Sequence, residues 1–92
     1  MTKVCAISDL HGNLPKIPSC DMCLVAGDLC PTNDHSVYFQ QYWLETKFRD
    51  WLKDIDARAK FYIAGNHDFF FEKSSQKEIH KTTAKIPGIY LQ

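Results

Sequence analysis

Three short polar clusters hold the residue types from which a metal centre is built: Asp9-x-His11, Gly27-Asp28 and Gly65-Asn66-His67-Asp68. Together they supply carboxylate, imidazole and amide oxygen, donors that suit hard and borderline divalent cations. Asp9 and His11 stand two apart, so on a turn leaving a strand both side chains can face one ion while Leu10 points back to the core. Asp28 has two oxygens and can bridge a pair of ions about 3.5–4 Å apart, the separation at which two metals clamp a phosphoryl group and activate water. Gly27 lets the backbone come close. Asn66 offers a neutral amide oxygen to a second ion, His67 can donate a proton to a leaving group, and Asp68 can orient that imidazole. Singly, each cluster has an ordinary reading as a turn or a satisfied loop. Their joint placement after successive apolar runs is what points to a site.

Those runs are the elements that must position the clusters. Lys3–Ser8 is short, apolar and partly β-branched, as in a parallel strand buried on both faces, and it ends at Asp9. Met22–Ala26 ends at Gly27-Asp28, and Phe61–Ala64 runs into Gly65-Asn66-His67-Asp68. In an open α/β sheet, ligands bind outside the carboxyl ends of the strands, which is where all three clusters fall. Between the second and third strands, Leu44, Phe48, Trp51, Leu52 and Ile55 recur at helical spacing, predicting one long amphipathic helix from Ser36 to Ile55. Ser75-Gln76-Lys77-Glu78 has the form of a capping box and predicts a short helix to about Ala84, stopped by Pro87-Gly88. Ile89–Gln92 reads as the opening of a further strand. The expected order is β-loop-β-α-β-α-β, an α/β arrangement. The chain stops at Gln92 without a turn, a cap or a polar tail, so residues 1–92 read as a single domain cut short at its carboxyl end.

The three clusters, in this order and at these strand ends, resemble the first three motifs of the calcineurin-like metallophosphoesterases: Asp-x-His, Gly-Asp and Gly-Asn-His-Asp/Glu. The very short link between the first two strands resembles the compact branch of metallophosphoesterase-domain phosphodiesterases. The resemblance implies the N-terminal part of a β-sandwich flanked by helices. It also implies that two divalent ions (Mn, Fe or Zn) are cofactors, with Asp9 and His11 at the first, Asp28 bridging, Asn66 at the second, and His67 protonating the leaving oxygen. The implied reaction is hydrolysis of phosphomonoesters or phosphodiesters, with a phosphate ester, nucleotides included, as substrate. Family members are longer and carry a further His and a Gly-His-x-His motif downstream, which complete both metal shells; neither motif stands in this chain. The competing expectation is therefore a catalytically incomplete remnant, acting as a metal-binding or protein-interaction module.

The rest of the chain sets bounds. Eleven Lys plus Arg against eleven Asp plus Glu in 92 residues leave no basic field to hold a nucleic-acid backbone. No apolar run approaches the roughly 20 residues needed to cross a bilayer, and the start lacks a secretory stretch, so a cytoplasmic chain without membrane contact is expected. Cys5, Cys20, Cys23 and Cys30 suggest reduced thiols; a four-cysteine zinc site is the alternative, weakened by the lack of a second Cys-x-x-Cys pair. Cys30, just past Asp28, is expected near the metal edge and open to oxidation. His35 and His80 read as surface residues. The aromatics of the long helix exceed what one face can bury. With Phe69-Phe70-Phe71 they suggest exposed surface, and the unpaired final strand offers an edge for self-association.

Overall fold

A computed structural model describes residues 2–91; Met1 and Gln92, the latter the last residue of the expected final strand, lie outside the described residues. Strands β1 (Val4–Ser8), β2 (Cys20–Ala26), β3 (Ala57–Ile63) and β4 (Ile89–Tyr90) form one sheet in the order β1-β2-β3-β4, every neighbour pair parallel. Helix α1 (Val37–Trp43), a π-helical segment (Leu44–Phe48) and α2 (Arg49–Asp54) link β2 to β3. Helices α3 (Phe69–Lys73) and α4 (Gln76–Thr83) link β3 to β4. This is the α/β order read from the sequence, with α3 as an extra turn of helix.

Register decides where the polar clusters meet. Ser8 pairs with Ala26, and Ala26 with Ile63, so the first three strands end level with one another. Pairing continues past the strand ends: Asp9 N–H donates to the Gly27 carbonyl at 3.2 Å, and Gly27 N–H to the Ile63 carbonyl at 3.1 Å. The link from β1 to β2 has no helix. Trp51 on α2 fastens it, its indole N–H donating to the Pro15 carbonyl at 2.7 Å.

The expected single helix over 36–55 is instead an α–π–α succession. Arg49 N–H reaches back to the Leu44 carbonyl, the wide π spacing, while the Thr46 hydroxyl donates to the Tyr42 carbonyl at 2.7 Å. The wider turn re-phases the buried stripe, so that Gln40 and Trp43 before it, Leu44 and Phe48 within it and Leu52 after it are all buried. Phe48 packs edge-on against Tyr62 of β3 at 5.3 Å between ring centres. Tyr38 and Tyr42 are left outside, 85% and 62% exposed, as the excess of aromatics predicts. Phe70 and Phe71 differ from expectation: α3 turns them inward and both are buried, Phe71 stacking on Tyr90 at 4.8 Å. The capping box holds, with Ser75 Oγ accepting from Glu78 N–H at 3.2 Å.

The helices cover one face of the sheet, where Cys23, Val25 and Tyr62 are buried. The other face carries Val4, Ala6, Ala26, Ile63 and Ile89, all exposed. A β1 buried on both faces is therefore not what forms: its residues alternate between exposed and half-buried, because helices lie on one side only.

Candidate metal centre

Asp9, His11 and Asp28 converge, each offering a ligand atom within 4.8 Å of the others. All three hold left-handed backbone, with φ of 54°, 48° and 49°. Such a conformation costs an L-residue roughly 1–2 kcal/mol, less for Asp than for most side chains, and clusters of it mark functional sites. Here the turns enforce it: His11 N–H donates to the Asp28 carbonyl at 2.8 Å and Gly12 N–H to the Leu29 carbonyl at 2.9 Å, so the first loop is zipped to the second.

The third turn is held still more tightly. Gly65 lies so close to Asp28 that a Cβ there would land on the Asp28 backbone nitrogen and carboxylate, so only glycine fits. His67 N–H donates to Asp28 Oδ1 at 2.9 Å, and His67 Nδ1 stands 3.5 Å from the same oxygen. The His67 N–H bond is the main reason the Asp28 carboxyl sits below its usual range; burial opposes it, and the neighbouring His67 and His11 add to the lowering. Asp28 is thus kept as an anion, the state in which it can bind a cation.

Asp68 points elsewhere than the sequence suggests. It is 1% exposed, and its oxygens accept from Leu29 N–H at 2.9 Å, Cys30 N–H at 2.9 Å and Gly65 N–H at 2.8 Å. It fastens the loop after β2 to the loop after β3, and these bonds run to backbone rather than to the His67 imidazole. Asn66 stands exposed on the same turn. His67 is half exposed, its ring 6.2 Å from that of His11 and 6.2 Å from that of His35. His35, read as a surface residue, is therefore beside the site.

Gln40 is a participant that sequence reasoning missed. Fully buried on α1, it donates to the His67 carbonyl at 2.9 Å and accepts from Phe70 N–H at 2.8 Å. Its place at the buried phase of the helix, three and four residues ahead of Trp43 and Leu44, is the signal that could have found it.

The donor set suits a divalent cation. His11 Nδ1 is buried and has no hydrogen-bond partner among the described residues, and two carboxylates share its surroundings. The four cysteines are free, and no group of thiols converges in this way among the described residues. Cys30 is buried, and that burial, with the charge and hydrogen bonding of Asp68, pushes its thiol far up, so the expected oxidation-prone thiolate does not form.

The pattern of the family described as calcineurin-like phosphoesterase matches residues 2–90. The chain belongs to that family. It is also 31% identical over 75 residues to a protein of Emericella nidulans named "Probable rhamnogalacturonate lyase C", a match covering 80% of this chain and 6% of that protein. The chain thus spans a small fraction of the length of the curated relative it matches. The family's description names phosphoesterases, and Asp9, His11 and Asp28 are the one group among the described residues arranged so that they could hold a metal ion. No helix among the described residues is long and apolar enough to cross a membrane.

Proposed function

We propose that residues 1–92 form part of a phosphoesterase domain whose centre holds two divalent ions and hydrolyses phosphomonoesters or phosphodiesters. Asp9 and His11 would hold the first ion, Asp28 would reach both, and Asn66 would hold the second. Such ions, when bound, supply stabilisation of phosphoryl charge and activation of water. The chain's own residues do the rest. The turns keep Asp28 ionised and aimed. His67, half exposed and beside Asp28, donates a proton to the departing oxygen. Asp68 acts at one remove, as a positioning residue that locks the Gly65–His67 turn through backbone N–H groups.

The observation that carries this reading is the convergence of Asp9, His11 and Asp28 on three left-handed residues, with His11 Nδ1 left unpaired. The test is hydrolysis of bis-p-nitrophenyl phosphate and p-nitrophenyl phosphate with added manganese, beside an Asp28→Ala control. Turnover that disappears in the control supports a working centre. The same convergence numbers only three ligands among the described residues, fewer than two ions need, which favours as second reading a metal-binding remnant without turnover. Manganese affinity that needs Asp28, with no hydrolysis above the control, would support that second reading and overturn turnover by residues 1–92 alone.

A further inference from the structure

Three imidazoles line this edge of the sheet, and the proposed reaction uses two of them. The His67 ring is common to both close pairs, 6.2 Å from His11 and 6.2 Å from His35, while His11 and His35 make no such pair with each other among the described residues. His35 also leans on Phe69, ring centres 5.2 Å apart, and Phe69 meets His67 edge-on at 6.2 Å. His35, His67 and Phe69 therefore form a small aromatic wall beside the ligand cluster. His35 is exposed, and neither of its ring nitrogens has a hydrogen-bond partner among the described residues.

The place of His35 is built rather than accidental. Asp34 Oδ1 accepts from Ser36 N–H at 2.9 Å, turning the chain at His35, and Ser36 Oγ caps α1 by accepting from Phe39 N–H at 3.2 Å. One turn further on, Gln40 ties α1 to the His67 carbonyl and to Phe70 N–H. The loop that carries His35 is thereby fastened to the turn that carries His67. An imidazole donates a hydrogen bond whether neutral or protonated, so this ring can meet an ester oxygen in either state.

We propose that His35 is a substrate-contacting residue of this site, donating a hydrogen bond to the phosphate ester beside His67, with Phe69 as the apolar backing for the ester's organic group. The inference rests on the phosphoesterase reading above. A bare packing role for His35 against Phe69 predicts no contact with ligand, and a role as metal ligand predicts contact with the ion instead.

The experiment follows the imidazole resonances of His11, His35, His67 and His80 in the isotopically labelled full chain at one fixed, mildly alkaline pH. Zinc is added first, then phenylphosphonate, which cannot be hydrolysed. Zinc is expected to move His11 and leave His35 in place; phenylphosphonate is then expected to move His35 and His67 and leave His80 unmoved. In His35→Ala, phenylphosphonate should bind about tenfold more weakly, the effect of one lost hydrogen bond, with zinc affinity unchanged; His35→Gln, which keeps a donor, should recover part of the loss. Movement of His67 without His35, with unchanged affinity in His35→Ala, overturns the proposal. Zinc moving His35 as it moves His11 overturns it too, by making His35 a ligand. Zinc that leaves His11 unmoved is a different failure, that of the phosphoesterase reading itself, and takes this inference down with it.

Discussion

Asp68 shows how much one carboxylate can organise. It satisfies backbone N–H groups of Leu29, Cys30 and Gly65, and a buried donor left without its partner costs roughly 1–3 kcal/mol. Asp68→Asn, which keeps the shape but turns one acceptor into a donor, is expected to lower unfolding free energy by about that much in urea titrations. It should also weaken manganese binding, although Asp68 is not placed as a ligand. Asp9 offers the complementary case. Replacing it with glycine removes a ligand but relieves left-handed strain of under about 1–2 kcal/mol, partly offset by glycine's extra freedom in the unfolded chain. Asp9→Gly is therefore expected to melt within a few degrees of the parent, and above Asp9→Ala, while manganese affinity falls sharply in both. The residue types of Asp9, His11 and Asp28 were legible in their motifs. Their left-handed backbone was not, because it comes from hydrogen bonds between loops distant in sequence. The reading of Asp68 as an orienter of His67 saw the right residue and not its partners, which are backbone groups that no sequence pattern displays.

Among the elements, the helical connection between β2 and β3 carries the clearest electrostatic device. Glu45, in the π segment, is partly buried, which alone would raise its pKa. Hydrogen bonds from Lys85 at 2.9 Å, Thr82 at 2.8 Å and Gln41 at 3.1 Å, with the charge of Lys85, outweigh that and hold it below the usual carboxylate range. A carboxyl depressed on folding stabilises the folded state above its unfolded pKa and loses that contribution as pH falls through the folded value. Glu45→Gln should accordingly be less stable than the parent at neutral pH, by roughly 1 kcal/mol, with the gap closing in acid. Thermal melts across that range check it. Strand ends and the capping box were legible, since apolar runs bounded by turns and the Ser75–Glu78 spacing are local signals. The π turn was not, because apolar spacing of helical type is met by either winding, and the choice is made by packing of Trp43, Leu44 and Phe48 on the sheet.

At the scale of the molecule, the helices cover one side of a four-stranded parallel sheet and leave the other apolar. Leu24, Phe61, Ile63 and Leu91 line a shallow apolar hollow there, with Ile63, Ile89 and Leu91 39%, 55% and 45% exposed. Open surface of this kind drives association. The 92-residue chain is expected to self-associate with rising concentration in sedimentation measurements, and Ile63→Lys to shift it toward monomer without moving manganese affinity. The aromatic excess announced exposed surface in the sequence, and placed it on the helix and on Phe69–Phe71; the open apolar sheet face was not read, because its exposure depends on what packs beside it. One further consequence follows from the Asp68 clamp, whose partners Leu29 and Cys30 lie 39 and 38 residues earlier in the chain. During synthesis, β1 and β2 can pair and zip the first two loops together well before residue 68 leaves the ribosome, yet the turn bearing Asp28 lacks its Asp68 clamp until then. Long closures of this sort slow folding, so capture of an ion at the proposed centre becomes a report that the growing chain has passed Asp68, and not merely that its first two strands have met.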